Sequence, residues 1–292
     1  MNSRWLVTGA NGFLGQNAPQ TLSSGFELIG ATRSGATVDG YSRAIELDLL
    51  DVASSEHAIR NARPQVILHA AALANHENCQ SDPQRARHTN ASATGQLAAL
   101  SESIGAKFVY ISTDAVFDGA IGNYSETSST SPFSVYGETK LEGEIAAANE
   151  TSALIVRTNF FGWSPSGHRS ILEFFVNALE SDTSVSGYTD FTVTSIYARH
   201  LLETLQNLVN SGAWGTFHVA SSDPMSKFDF GRAVAQEFGL DQALIKASSA
   251  AAGSHDTSRI RNLSLNTDKL AGFLGNPPPS QHDGIRQAHL DR

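Results

Sequence analysis

An α/β fold, a doubly wound parallel sheet with a smaller interleaved C-terminal lobe, is predicted from three observations. Apolar strand-like runs alternate with helical patterns through the first half of the chain, as they do where crossover helices join parallel strands. The first of these runs leads into Gly9-Ala-Asn-Gly12-Phe-Leu-Gly15, a glycine-rich strand-to-helix turn of the kind on which a dinucleotide pyrophosphate rests. Further on, Tyr136-Gly-Glu-Thr-Lys140 sets a phenol and an ammonium four residues apart, on one face of a helix.

The elements follow in order. Short apolar runs bounded by turn residues give strands near Trp5–Thr8, Glu27–Ala31, Ile45–Leu47, Val66–Ala70, Phe108–Ser112 and Ala153–Arg157. Helices are expected between them, near Phe13–Ser23, Ser54–Ala62, Pro83–Ser103 and Pro132–Asn149. Ser131-Pro132 suits the last of these as N-cap and first helical residue. Pro19 falls well inside the first helix, where it removes a backbone donor and should kink it. Beyond Arg157 the pattern loosens. Gly162-Trp-Ser-Pro-Ser166 reads as a loop, Ser170–Glu180 and Tyr197–Asn210 as helices, Thr216–Ala220 as a strand and Phe228–Phe238 as a helix. The tail, with Pro277-Pro278-Pro279, reads as irregular chain. With no clear linker, a dinucleotide-binding domain is expected over residues 1–160 plus about 189–210, and a substrate lobe over about 161–188 and 211–292.

Composition excludes several classes. A chain of 292 residues, 40% hydrophobic and 17% charged, is long and apolar enough to bury a full core. Its 29 acidic against 20 basic side chains leave a net charge of −9 with no basic cluster, so no nucleic-acid partner is expected. Cys79 is the single cysteine, which rules out an internal disulfide and fits a reducing compartment. With no signal peptide and no apolar span of about 20 residues, a soluble, cytoplasmic protein without a membrane partner is expected. The 10 histidines are scattered without His-Glu-x-x-His or Cys-x-x-Cys spacing, so no metal site is expected.

The glycine spacing is Gly-x-x-Gly-x-x-Gly, one residue longer in its first gap than the usual Rossmann fingerprint. The physics is shared: Gly9 allows the tight turn, Gly12 lets backbone approach the phosphates, and Gly15 permits close helix–strand packing. At the end of the second strand, where NAD sites carry an acid for the ribose hydroxyls, stand Thr32 and Arg33. A guanidinium suits a ribose phosphate, which favours NADP (NADPH), with NAD as the alternative. Asp48, ending the third strand, is placed to accept from the adenine amino group. Ala70, Ala71 and Ala72 give the cofactor a path of small side chains, though buried-strand packing explains them almost as well.

Phe108–Ser112 runs into Thr113-Asp-Ala-Val-Phe-Asp-Gly119, so Thr113 sits at the C-terminal end of a parallel strand, where such sheets place ligand contacts. A cation near Tyr136 would lower its phenol from about 10 and ready it for proton transfer. With these residues the chain resembles an extended short-chain dehydrogenase/reductase and is most similar to the dTDP-4-dehydrorhamnose reductase family. The likeness is carried by Gly9 to Gly15, Val66-Ile-Leu-His-Ala-Ala-Ala72, Ser112 to Gly119, Ser131 to Glu144, Leu154-Ile-Val-Arg-Thr158 and Arg259 to Leu270. It implies that Thr113 orients a substrate carbonyl, Tyr136 protonates its oxygen, and Lys140 holds the nicotinamide ribose and lowers the tyrosine pKa. The expected cofactor contacts are then Gly9, Asn11, Gly12, Phe13, Leu14, Gly15, Thr32, Arg33, Asp48, Leu49, Ala70, Ala71, Ala72, Asn90, Ser112, Tyr136 and Lys140. The implied activity is reduction of a 4-keto group on a nucleotide-linked deoxysugar, and a homodimer is compatible with it.

The sequence departs from the family at Ala115, where an aromatic is common, at Thr194-Ser195-Ile196-Tyr197, at Arg199-His200 and at Ile260, all expected near sugar-nucleotide contacts. A dehydratase would need a glutamate at position 115. A 3,5-epimerase-reductase would need a Cys–His pair beside the tyrosine, whereas Cys79 is expected elsewhere, as an ordinary small side chain. A 4-epimerase keeps the same triad. So does a non-catalytic NADP-binding regulator, such as the regulatory subunit of methionine adenosyltransferase. His76 either touches substrate or merely starts a solvated helix. For the substrate diphosphate the candidate cations are Arg259 and then Arg169.

Overall fold

Strands covered on both faces read as unbroken apolar runs, and Val66–His69 and Phe108–Ile111 are buried at every position. They lie inside a seven-stranded sheet. The computed structural model describes residues 3–22, 25–251 and 261–292. Its sheet takes strands β1 (Ser3–Thr8), β2 (Phe26–Thr32), β3 (Arg43–Glu46), β4 (Val66–His69), β5 (Lys107–Ile111) and β6 (Leu154–Arg157). Between them run helices α1 (Phe13–Leu22), α2 (Val52–Ala62), α3 (His76–Ser81), α4 (Pro83–Arg87), α5 (Ala93–Ser103) and α6 (Val135–Glu150). The order across the sheet is Gly215–His218, β6, β5, β4, β1, β2, β3. All registers among β1 to β6 are parallel, so the expected doubly wound sheet is the observed fold. The order in which successive strands are added reverses between β1 and β4, and the crevice beyond their C-terminal ends is where such folds bind ligands.

Three local expectations need correction. The helix expected over Pro83–Ser103 runs as α4, a π-helical turn at His88–Ser92 and α5, and a short helix, α3, that was not expected precedes it. Asn75 and Asp82 cap α3 and α4, accepting from Asn78 N at 2.8 Å and Arg85 N at 3.0 Å, so two starts replace one. α6 begins at Val135, not Pro132. Ser134 is its cap, accepting from Gly137 N at 3.2 Å, while Ser131 N donates to Val116 O. In the tail, helices Asp268–Leu274 and Gln281–Leu290 flank the prolines. The second starts on a Ser280–Asp283 capping box, a local signal that the prolines masked.

The chain groups into two units: Met1–Val116, Ser131–Arg157 and Leu205–Phe217, and Phe117–Thr130, Thr158–Thr204 and His218–Arg292. The expected division differs at four stretches, the shortest being residues 158–160, which fall in the second unit. Residues 117–130 join the second unit because Asn262 N and Tyr124 N bond to Gly119 O and Ser264 O, respectively. Residues 189–204 also fall there, and 211–217 fall in the first unit, where Gly215 N bonds Ala153 O. Leu6, Ile29, Ile67, Leu97, Phe108 and Ile155 are central to the core of the first unit. Phe161, Leu172, Phe175, Phe230, Val234 and Ile285 are central to the second. No helix among the described residues is long and apolar enough to cross a membrane.

His69, at the end of β4, is buried in the first unit with both ring nitrogens bonded. Its Nδ1 lies 2.8 Å from Thr8 Oγ1 and its Nε2 3.1 Å from Thr94 Oγ1. The Thr94 hydroxyl donates to Asn90 O, so it accepts from Nε2–H, and Nδ1 accepts from Thr8. Burial, reinforced by Lys140, lowers the ring to about 3. The folded pKa thus lies below the unfolded one. Unfolded chains bind the extra proton between about pH 6.5 and 3, and stability is lost as pH falls through that window. This ring alone should cost up to about 1.4 kcal/mol per pH unit. Urea unfolding from pH 7 to 4 should show a steeper loss in the native chain than in His69→Gln; equal slopes would mean the ring is already solvated.

Candidate active site

The glycine turn occupies the crevice. Gly9 has φ +67°, a left-handed conformation that favours glycine, and a Cβ there would lie 3.0 Å from Ala71 Cα. The chain leaving β1 therefore touches the chain leaving β4. Gly12 N donates to Gly9 O at 2.7 Å, and the turn runs directly into α1, presenting a helix N-terminus as anion sites do. Asn11 is exposed, Gly12 and Phe13 are partly buried, and Leu14 and Gly15 are buried. Ala70, Ala71 and Ala72 are partly buried.

At the end of β2, Thr32 is buried with its hydroxyl donating to Ala36 O at 3.2 Å, while Arg33 is exposed. Asp48 accepts from Leu50 N at 2.9 Å, and Leu49 packs on the core. Asn90 differs from a free cofactor contact. Its oxygen accepts from Leu73 N at 2.8 Å and its nitrogen donates to Leu73 O and Thr139 Oγ1, both at 3.0 Å. Its amide holds the loop after β4. Ser112 is likewise committed, donating to Glu144 Oε1 at 2.5 Å.

Tyr136 and Thr113 do come together. A Cβ on Gly137 would collide with the Ala115 carbonyl oxygen, so the first turn of α6 sits directly on the turn that follows β5. That seat brings the phenol to the Thr113 hydroxyl. Thr113 Oγ1 also donates to Asp114 Oδ1 and accepts from Ala115 N, both at 3.1 Å.

Lys140 is one turn further along α6, but its amine is not directed at the phenol. Nζ donates to Ile111 O at 2.6 Å and stands 4.0 Å from the centroid of the Tyr110 ring. The expectation that it lowers Tyr136 is therefore corrected. Burial raises the phenol above its ordinary value, the Thr113 hydrogen bond opposes this, and Asp114 and Cys79 add to the rise. Tyr136 is held protonated at neutral pH, as a proton donor should be. Burial lowers Lys140 to about 7, and Glu144 acts in the opposite direction.

Two neighbours, Glu144 and Cys79, were not placed at the site by the sequence reading, and a third, His76, was left open by it. Glu144 follows Lys140 by one further turn and is clamped by Arg157, which donates from Nε at 3.0 Å and from Nη2 at 2.7 Å. Both side chains are buried. The i, i+4, i+8 ladder Tyr136–Lys140–Glu144 was the available signal. The ring of His76, at the start of α3, lies 4.9 Å from that of Tyr136 at 50°. Cys79 was expected away from the tyrosine; it is buried in α3, donates to Leu73 O at 3.2 Å and acts electrostatically on Tyr136.

In the second unit, Arg169 is exposed and its backbone N donates to Glu173 Oε2 at 2.8 Å. Arg259 and Ile260 lie outside the described residues. Ser195 Oγ donates to Asn159 Oδ1 at 2.6 Å, Tyr197 OH donates to Asp291 Oδ2 at 2.9 Å, and Arg199 pairs with Asp291. These departures from the family pattern thus have partners inside their own unit.

The family described as RmlD substrate binding domain matches residues 3–291. A "probable low-salt glycan biosynthesis reductase" of Haloferax volcanii is 31% identical over 96% of this chain and 95% of its own. Methionine adenosyltransferase 2 subunit beta of Rattus norvegicus is 28% identical over 91% of this chain and 81% of its own. Among solved structures, a dTDP-4-dehydrorhamnose reductase from Bacillus anthracis in complex with NADP superposes with TM-score 0.88 at 22% identity, covering 100% of both chains.

Two measurements check the buried ladder. Glu144→Leu leaves the Arg157 guanidinium uncompensated and should cost about 3–5 kcal/mol of stability. Glu144→Leu/Arg157→Met should recover most of it, and a double variant no better than the single would deny the coupling. Nitrogen NMR of the lysine side chains should find Lys140 titrating near pH 7 in the free protein and lower in Glu144→Gln, which lacks the charge favouring the ammonium. An ordinary lysine titration would mean the amine is solvated.

Proposed function

The chain belongs to the RmlD substrate binding domain family, and on that premise we propose that it reduces a 4-keto group on a nucleotide-linked deoxysugar with NADPH. The observation that carries the reading is the Thr113 hydroxyl against a protonated Tyr136 phenol, at the C-terminal end of β5 and one helical turn from Lys140. The residues present fit a dinucleotide. Gly9 turns tightly against Ala71, and α1 begins where a pyrophosphate would lie. Arg33 is exposed at the end of β2, where an NAD site would carry an acid.

A bound reduced nicotinamide supplies the hydride in this chemistry. Thr113 orients the carbonyl by a hydrogen bond to its oxygen. Tyr136 gives its phenolic proton to that oxygen as negative charge builds there. The raised pKa of the phenol keeps the proton available throughout the neutral range. Lys140, held on the Ile111 carbonyl, is the candidate group for the nicotinamide ribose, and Glu144 favours its charged form. In this reading the second unit is the substrate lobe, with Arg169 and Arg259 as the candidate cations for the diphosphate.

Tyr136→Phe should keep cofactor binding and lower turnover by about 10²–10⁴, the usual worth of a positioned general acid. Near-normal turnover would place the proton elsewhere and end the triad reading. Arg33→Ala should weaken NADPH more than NADH; equal losses would remove the argument for NADP. The substrate is tested with a panel of dTDP-, GDP-, UDP- and CDP-linked 4-keto-6-deoxy sugars, dTDP-4-dehydrorhamnose first, read as NADPH oxidation. If NADPH binds and none is consumed, the reductase reading falls. A non-catalytic NADP-binding regulator, the reading favoured by the likeness to methionine adenosyltransferase 2 subunit beta, then takes its place. Interconversion of 4-hydroxyl epimers without net oxidation would instead assign an epimerase.

A further inference from the structure

Pro19 lies inside α1, which runs from Phe13 to Leu22. In an α-helix the N–H of residue i bonds the carbonyl of residue i−4, so the regular partner of the Gly15 carbonyl is the amide of residue 19. Proline has no such hydrogen. The missing donor comes from outside the helix: Tyr41 OH donates to Gly15 O at 2.6 Å. We infer that Tyr41 is a positioning residue for the adenosine end of the cofactor, because its bond to the Gly15 carbonyl straps the loop bearing Arg33 onto the helix of the glycine turn.

The loop that Tyr41 closes begins at Arg33. Its first turn is tied by Gly35 N to Thr32 O and by the Thr32 hydroxyl to Ala36 O, both at 3.2 Å. Its far end is tied by Tyr41 N to Val38 O at 3.2 Å and Ser42 N to Leu28 O at 2.9 Å. Between these ties Arg33, Ser34, Ala36, Thr37, Asp39 and Gly40 are exposed, so little packing holds them. Two contacts with α1 make up the difference. Tyr41 reaches Gly15, and Gly40 backs onto Pro19, with no room for a Cβ between them. The Tyr41 ring also lies along Gly30 of β2, where a Cβ would stand 3.4 Å from two of its carbons. Burial raises the Tyr41 phenol well above its ordinary value, so it stays a donor at every pH at which the protein works. Pro19 thus does two things: it frees an acceptor on the helix and supplies the surface against which the loop rests.

This assignment rests on the NADPH reading above, and the test separates the two. Three proteins are compared: the native chain, Tyr41→Phe, and Tyr41→Phe/Pro19→Ala. The alanine returns the backbone N–H to Gly15 without restoring the strap. Tyr41→Phe should lower Tm, and the double variant should recover it. In both variants amide exchange over residues 33–40 should quicken about tenfold or more. The preference for NADPH over NADH should fall about fivefold in both, the equivalent of one hydrogen bond. If Pro19→Ala restores exchange and cofactor preference together with Tm, Tyr41 is only a helix-capping donor and the proposal is overturned. It is equally overturned if the loop loosens while the preference stays. If the native chain shows no preference for NADPH, the cofactor reading fails, and with it the specificity role of the strap; exchange over residues 33–40 still reports whether the strap exists.

Discussion

A lysine amine taken out of water needs an acceptor and a counter-charge, and Lys140 finds the first in the Ile111 carbonyl and the second in Glu144. Neither partner stands alone. Glu144 is a buried carboxylate and must itself be satisfied, which Arg157 and Ser112 do from the ends of the two neighbouring strands. One buried charge therefore fixes β5, α6 and β6 relative to one another, and that register holds Tyr136 over Thr113. His69 completes the set from β4: burial and the nearby ammonium keep its ring neutral. The chemistry of the site and the stability of the sheet are in this sense the same interactions.

The sequence made the sheet legible because both-face burial leaves continuous apolar runs, and Val66-Ile-Leu and Phe108-Val-Tyr-Ile are unbroken. The Tyr136–Lys140 pair was legible because helical periodicity is local. What failed was non-local. The cap of α6 passed from Ser131 to Ser134 because Ser131 bonds Val116 across the turn. Lys140 chose a strand carbonyl over the phenol because that carbonyl lies within reach only once β5 and α6 pack. Arg157 could be read as a strand end but not as the partner of Glu144. Pro19 reads locally only as a lost donor, and its compensation sits on a loop that follows the next strand.

The opposite displacements of Tyr136 and Lys140 come from one cause. Burial penalises whichever form is charged, so it raises the phenol and lowers the amine. Pairs of titrating groups driven apart by their surroundings mark acid–base assignments, and here the phenol is the member that keeps its proton. Chains similar to this one include proteins named as reductases and one named as the subunit of a transferase. Fold alone does not choose between such roles.

Cys79 is the chain's sole thiol, and it is fully enclosed, bonded to the Leu73 carbonyl and raised in pKa by burial. Thiolate, the reactive form, is scarce at such a site. The native thiol should therefore react only slowly with maleimides and alkylating dyes. A cysteine introduced at an exposed position such as Ser34 would thus accept a single fluorophore or spin label without removal of the native one. That gives the loop after β2 an optical handle in the otherwise unaltered chain.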